Sequence, residues 1–97
     1  MAEIRWTDEA VNWLQDIHDY IAKDNPKIAN KVANDIFDKV QILMVMPEIG
    51  YKYQNQDNIR ILLYGHYRIA YFIKESKDVD ILGVFHGSLD IERYLKI

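Results

Sequence analysis

The chain of 97 residues has no cysteine, which excludes a disulfide scaffold, a thiolate zinc site and a cysteine nucleophile. It has only two prolines and four glycines, so no linker rich in these residues divides it. No purely apolar run is longer than Ile42–Met46, and the polar start Met1–Glu3 has no signal-peptide core. We therefore expect a single domain over residues 1–97, located in the cytoplasm and without membrane contact.

Basic residues are also fewer than acidic ones, since the chain has 12 Lys and Arg and 15 Asp and Glu, which give a net charge of −3. This balance excludes a nucleic-acid binder that is basic over its whole surface. Apolar residues are abundant, since 49% of the chain is hydrophobic and 28% is charged, as in globular domains. A chain of this length buries about 65% of its unfolded surface, which is enough for one modest core.

The first half of the sequence has the spacing of a short strand followed by two helices. Apolar and polar residues alternate at Ile4–Trp6, which predicts a strand. Thr7 is suited to cap a helix over about residues 7–23, and Asn25-Pro26 is suited to begin a second one. Both helices have one apolar stripe, and the second ends before Pro47. Two helices joined by so short a turn form an antiparallel hairpin.

The second half is rich in β-branched and aromatic residues, which predict strands. Ile59–Tyr64 and Tyr67–Ile73 flank Gly65-His66, which is suited to a two-residue turn. Val79–Phe85 predicts a further strand, and Ser88 is suited to cap a short tail helix. The predicted order is β-α-α-β-β-β-α. This is an α+β domain in which the helical hairpin packs on one face of a small antiparallel sheet.

A two-residue turn fixes which residues of the hairpin share a face. One face then contains the pairs Tyr64–Tyr67, Leu62–Ile69 and Arg60–Tyr71, and the other contains Leu63–Arg68, Ile61–Ala70 and Ile59–Phe72. Both faces are largely apolar, so one packs on the helices and the other needs a cover. An uncovered apolar face suggests a protein partner.

Nearly the whole chain contains an ordered set of residues that is typical of one protein family. In sequence order the set is Trp6, Ala10, Leu14, Ile17, Tyr20-Ile21-Ala22, Asp24, Pro26, Ala29, Ile36, Leu43, Pro47, Gly50, Arg60, Tyr67-Arg68-Ile69-Ala70-Tyr71, Val84 and His86. In this order the chain resembles the RelE/ParE superfamily, the toxins of type II toxin–antitoxin and plasmid-stabilisation modules. The entry into the second helix is more similar to the ParE branch than to the RelE branch.

The two branches share a fold and differ in activity. ParE-type toxins inhibit DNA gyrase by protein contact, whereas RelE-type toxins enter the ribosomal A site and cleave mRNA. The ParE resemblance implies a growth-inhibiting toxin that binds gyrase, needs no cofactor or metal, and is neutralised by a cognate antitoxin in a hetero-oligomer. Cleavage of mRNA on the ribosome is the alternative, so whether the chain is an enzyme stays open, with binding preferred.

A metal-independent ribonuclease needs an acid/base pair and a cation that stabilises the phosphorane. The RelE branch implies a lysine pair for this work, and these positions fall on Ile59 and Ile61 here. Its C-terminal arginine falls near Gly87. Of the catalytic residues that the RelE branch implies, Arg68 and Tyr94 remain. A fallback ribonuclease site would use Arg68 near the phosphorane, Lys52 and Arg60 on the phosphate, and His66, His86 or Tyr94 as the proton carrier, so the candidate catalytic residues are Arg68, His86 and Tyr94.

The binding hypothesis uses the basic residues instead. Residues 51–73 contain three basic side chains against one acidic, a local charge of +2, which is small for an RNA site. We expect an acidic or amphipathic antitoxin segment, or the target, to bind Lys52, Arg60, Arg68 and Arg93. A purely structural reading of Arg60 and Arg68 is a surface pair with an acidic neighbour.

The end of the chain departs from the family pattern. The family run His-x-x-Arg-Asp becomes His86-Gly87-Ser88-Leu89-Asp90, so Leu89 stands where the family has an arginine. The chain is then a divergent toxin, a weakened one, or one that uses Arg93 instead. A non-toxic interaction domain is the second alternative.

Overall fold

Two helices lie against one face of a five-stranded sheet in the computed structural model, which describes residues 2–86. The elements are β1 (Ile4–Trp6), α1 (Asp8–Ala22), α2 (Pro26–Val40), a 3-10 turn (Gln41–Met44), β2 (Tyr51–Tyr53), β3 (Gln56–Tyr64), β4 (Tyr67–Ile73) and β5 (Val79–His86). The strand order is β1-β5-β4-β3-β2. The predicted α+β class is confirmed, although the sheet gains β2 and is mixed rather than antiparallel throughout. The predicted tail helix at Ser88 lies outside the described residues.

Both helices begin at the predicted capping residues. The Thr7 hydroxyl accepts a hydrogen bond from an amide in the first turn of α1 at 3.1 Å, and donates one to the Ile81 carbonyl at 2.7 Å. The Asn25 side chain caps α2, and Pro26 is its first residue. These caps satisfy amides that a helix leaves unpaired, and the Thr7 bond also ties α1 to β5. Within the described range, neither helix is long and apolar enough to cross a membrane.

β1 pairs with β5, which is distant in sequence. Ile4 lies opposite Val79 in a parallel pair, and the Val79 amide donates to the Glu3 carbonyl at 2.9 Å. The Asp78 carboxylate accepts a bond from the Glu3 amide at 3.0 Å, and this bond lowers the pKa of Asp78. The parallel pairing of β1 with β5 is what makes the sheet mixed.

The register of β3 and β4 is the predicted one at every pair. Tyr64 lies opposite Tyr67, and Arg60 lies opposite Tyr71. Gly65 in the turn has a φ of 56°, a conformation that glycine adopts without steric cost. The two sets of side chains that the sequence assigns to different faces of the hairpin are therefore confirmed.

One face of the sheet packs on the helices, and we call it the helix-covered face. Its buried strand residues are Leu62, Ile69, Tyr71, Ile73, Val79, Ile81 and Val84. Ala10 of α1, Ile36 and Val40 of α2, and Leu43 of the 3-10 turn meet them in one cluster. Burial of this apolar surface is the main force that holds the hairpin on the sheet.

The other face, which we call the back face, is less open than the sequence predicts. Tyr53, Ile61, Ala70 and Phe85 are buried there in a second cluster. The Trp13 ring meets the Phe85 ring edge-on, with ring centroids 4.8 Å apart. The expectation of an uncovered apolar face is therefore wrong for its centre, because aromatic side chains of the same chain contribute to closing it.

The loop between α2 and β2 is fixed by a buried tyrosine. The Tyr71 hydroxyl donates to the Pro47 carbonyl at 2.7 Å and accepts from the Gly50 amide at 2.9 Å. Burial raises the pKa of Tyr71, so the hydroxyl keeps its proton and its donor role. A Cβ on Gly50 would lie 2.6 Å from the Ile61 carbonyl oxygen and 2.7 Å from the Tyr71 hydroxyl. Only glycine fits where the loop approaches the sheet this closely.

Replacing Gly50 with alanine tests this close approach. We expect Gly50→Ala to lower the free energy of unfolding in urea by about 1–3 kcal/mol, because the added methyl overpacks against fixed atoms. The matched control is Gly65→Asn, since position 65 has open space around it and asparagine tolerates a positive φ. Equal stability of the two variants would contradict the account.

Candidate functional site

The structure places the two predicted binding arginines on different faces of the sheet. Arg60 lies opposite Tyr71, at the margin of the helix-covered face, and Arg68 lies opposite Leu63 on the back face. Their guanidinium groups therefore do not form one cationic surface.

Arg60 is bonded to the backbone of the loop before β2. Its Nη1 donates to the Glu48 carbonyl at 3.1 Å and to the Gly50 carbonyl at 2.7 Å. None of the ion pairs formed among residues 2–86 includes Arg60, so the predicted surface pair with an acidic neighbour is absent from the described part of the chain. Together with Tyr71, Arg60 fixes the loop that leads into β2. Its role in binding a partner stays a prediction.

Lys52 lies on the edge strand β2, opposite Arg60. Its Nζ is 3.5 Å from a carboxylate oxygen of Asp57, and both side chains are largely exposed. An exposed pair of this kind contributes little to stability, so Lys52 remains able to exchange Asp57 for another carboxylate.

Arg68 is bonded to a side-chain hydroxyl, whereas Arg60 is bonded to backbone carbonyls and Lys52 is paired with a carboxylate. The Arg68 Nη1 donates to the Tyr51 hydroxyl at 2.7 Å. No carboxylate among the described residues forms an ion pair with it. Tyr51 is 45% exposed and Leu63, directly opposite Arg68, is 49% exposed. We call these three residues, Tyr51, Leu63 and Arg68, the Arg68 patch.

The surroundings of the patch are apolar. Ile59 and Ile61, which stand at the positions of the RelE-branch lysines, lie on the same face as Arg68. Ile61 is 1% exposed and belongs to the buried back-face cluster. Of the basic side chains in the segment 51–73, only that of Arg68 lies on the back face of the described structure. In this part of the back face the guanidinium of Arg68 therefore lies among apolar and aromatic groups.

The residues expected of a ribonuclease are not brought together within the described structure. His86 ends β5 opposite Tyr67, whereas Arg68 lies opposite Phe85, so the two side chains point to different faces. The His86 ring meets the Tyr67 ring edge-on with centroids 5.4 Å apart, beside a groove of about 540 Å³ between α1 and the sheet. Tyr94, Arg93 and Leu89 lie outside the described residues.

A carboxylate network ties α2 to the hairpin near the same end of the sheet. The Asp35 carboxylate accepts bonds from Lys31 Nζ and from the Tyr64 hydroxyl, both at 2.7 Å. The Lys31 bond is the main cause of the lowered pKa of Asp35, and the bond to Asp35 raises the pKa of Tyr64. Among residues 2–86, no three or more histidine, aspartate or glutamate side chains lie together as metal ligands.

Sequence reasoning missed one member of the patch. Tyr51 was not predicted to lie in a strand, because β2 is three residues long and its register with β3 shifts after Lys52. Leu63, in contrast, followed from the register, since it is the residue opposite Arg68. The alternation of Tyr51 and Tyr53 around Lys52 is the signal that could have indicated β2.

The sequence matches the model of one protein family over residues 4–91. That family is described as the ParE toxin of the type II toxin–antitoxin system parDE. A curated relative from Sinorhizobium fredii, Y4kP, is named as a candidate toxin. It is 37% identical over 85 residues, which are 87% of this chain and 86% of that protein.

Solved structures have a similar fold. The chromosomal ParDE system of P. aeruginosa superposes with a TM-score of 0.76 at 24% identity, covering 91% of this chain and 98% of that chain. The RelBE2 toxin–antitoxin complex of Mycobacterium tuberculosis gives 0.58 at 25% identity, with coverage of 89% and 98%. A mutant E. coli RelE in complex with a RelB peptide gives 0.58 at 11% identity, with coverage of 99% and 94%. At 24% and 11% identity the likeness shows the fold alone.

Removing the Arg60 guanidinium tests its contribution to the stability of the fold. We expect Arg60→Met to lower the free energy of unfolding by about 1.5–3 kcal/mol, because two loop carbonyls lose a charged donor. The control is Lys27→Met, at an exposed lysine that makes no ion pair within residues 2–86. If both variants unfold at the same urea concentration as the parent chain, the loop does not depend on Arg60.

Proposed function

Because the chain belongs to the ParE toxin family of type II toxin–antitoxin systems, we propose that it acts by binding other proteins. Its cellular target is DNA gyrase, and a cognate antitoxin neutralises it in a hetero-oligomer. The observation that carries this proposal is the Arg68 patch, where one guanidinium lies among exposed apolar and aromatic groups. Such a combination of arginine, tyrosine and leucine is typical of protein interfaces.

The same face gives little support to RNA cleavage. Affinity for RNA depends on the number of phosphates that basic side chains neutralise. On the back face the described residues 51–73 supply one such side chain, Arg68, because Arg60 and Lys52 lie on the opposite side of the sheet. The positions of the RelE-branch lysines hold Ile59 and the buried Ile61. Protein binding is therefore preferred over catalysis.

An antitoxin partner is supported by the kind of structures that this fold is similar to. The M. tuberculosis neighbour is a toxin–antitoxin complex, and the P. aeruginosa neighbour is a ParDE toxin–antitoxin system. A flexible antitoxin segment that folds on binding buries apolar surface and presents its charges to the toxin. Arg68 is the cation best placed for this contact, with Lys52 and Arg93 as further candidates. The same segment would block access of the target.

The function is tested by inducing the chain alone and together with a candidate antitoxin, for which small reading frames from its genomic neighbourhood are screened. We expect growth to stop with the chain alone and to continue when both are expressed. Purified chain should inhibit supercoiling by gyrase and should leave mRNA on purified ribosomes intact. Cleavage of ribosome-bound mRNA without inhibition of gyrase would overturn the proposal in favour of a ribonuclease, and harmless expression would favour a non-toxic interaction domain.

Reversing the charge of Arg68 tests the site. We expect Arg68→Glu to weaken the antitoxin complex by at least about 30-fold, or about 2 kcal/mol, because a carboxylate would face the carboxylates of the partner. Lys27→Glu on the helical hairpin reverses an exposed lysine away from the patch and should change affinity less than about threefold. Titration calorimetry of both variants makes the comparison. Equal losses would place the antitoxin contact elsewhere.

A further inference from the structure

The hydrogen bond between Arg68 and Tyr51 spans the strand that lies between them. Arg68 is on β4 and Tyr51 is on β2, and β3 separates the two. Adjacent strands lie about 4.8 Å apart, so both side chains must extend over β3 to meet. The Arg68 side chain is thus held flat across the back face instead of pointing freely into solvent.

The bond leaves most of the guanidinium available. The Tyr51 hydroxyl accepts one N–H of the five that arginine has. Four described lysines have a carboxylate partner, in the pairs Lys31–Asp35, Lys52–Asp57, Lys74–Asp80 and Lys77–Glu48. Arg68 has a hydroxyl partner instead. Its orientation is fixed while its charge is left uncompensated by any described residue.

Such a guanidinium suits one kind of ligand group. A carboxylate accepts two parallel N–H bonds from the planar fork of arginine, and the pair is strong and directional. Leu63, directly opposite Arg68, and Tyr51, to which Arg68 is bonded, expose apolar surface on the same face. A ligand that matches both features has an Asp or Glu side chain next to an aliphatic one.

We propose that Tyr51 is a positioning residue that holds Arg68 ready to bind a carboxylate of the antitoxin, with an aliphatic antitoxin side chain packed on Leu63. This inference rests on the proposed function, because the antitoxin is its occupant. Fixing a long side chain before binding lowers the entropy lost when the complex forms. The hydroxyl of Tyr51 therefore contributes to affinity without touching the antitoxin carboxylate itself.

The test is a double-mutant cycle on the complex with the antitoxin that the co-expression experiment identifies. Tyr51→Phe removes the hydroxyl and keeps the ring, and we expect it to weaken the complex about fivefold, the effect of one hydrogen bond. Arg68→Gln removes the charge. In the Arg68→Gln background, Tyr51→Phe should have no further effect, because there is no guanidinium left to position.

Two controls separate positioning from damage to the fold. Tyr20→Phe removes a hydroxyl from an exposed tyrosine of α1 and should leave affinity unchanged. A loss of affinity through general instability would persist in the Arg68→Gln background, whereas a positioning effect disappears there. Affinity measured at two salt concentrations should fall with salt for the parent chain and for Tyr51→Phe, and change little for Arg68→Gln.

The outcomes distinguish the inference from the function on which it rests. If the antitoxin binds the parent chain and Tyr51→Phe binds as tightly, or loses the same factor in both backgrounds, the positioning role of Tyr51 is wrong and the antitoxin complex stands. If the antitoxin does not bind the parent chain, the proposed function is overturned and the inference falls with it.

Discussion

The register of the β3–β4 hairpin is the constraint on which the rest of the structure depends. Gly65, with its positive φ, closes a two-residue turn that sets Tyr64 opposite Tyr67. Because side chains alternate along a strand, a slip of one residue would move the side chains of one of the two strands to the opposite face. Either Leu62 would then leave the helices, or Arg68 would be buried beneath them. The tight turn therefore determines both the core and the composition of the back face.

The position of β2 depends on Arg60 and Tyr71, which lie opposite each other on β3 and β4. Both donate to carbonyls of the loop that precedes β2, and Gly50 allows the close approach. The loop delivers β2 to the edge of the sheet, and β2 brings Tyr51 within reach of Arg68. Residues on the helix-covered face thus determine, through the loop, how the back face is arranged. This connection is physical and contiguous, as a chain of hydrogen bonds and one strand pairing.

Much of this fold can be predicted from the sequence because the relevant signals are local. Thr7 and Asn25-Pro26 cap helices by contacts within a few residues, and the turn at Gly65 fixes a register through its length alone. The features that escaped prediction are either non-local or marked by a very short pattern. The parallel pairing of β1 with β5 joins residues about 75 positions apart, and the alternation that indicates β2 covers only three residues. The bonds of Arg60 to loop carbonyls are likewise invisible in a sequence, where an arginine in a strand is typical of a surface ion pair.

Both branches of the superfamily share one architecture, so the fold does not distinguish a toxin that binds proteins from one that cleaves RNA. The distribution of charge on the sheet is the more informative feature. A protein surface with one oriented guanidinium and exposed apolar groups suits a peptide segment that folds on binding.

The most direct measurement of the central claim is the set of intermolecular NOEs in a complex of labelled toxin with unlabelled antitoxin. The account predicts NOEs from the Leu63 methyls and the Tyr51 ring to aliphatic antitoxin protons. NOEs confined to the outer surface of α1 and α2, with none from the Arg68 patch, would contradict it.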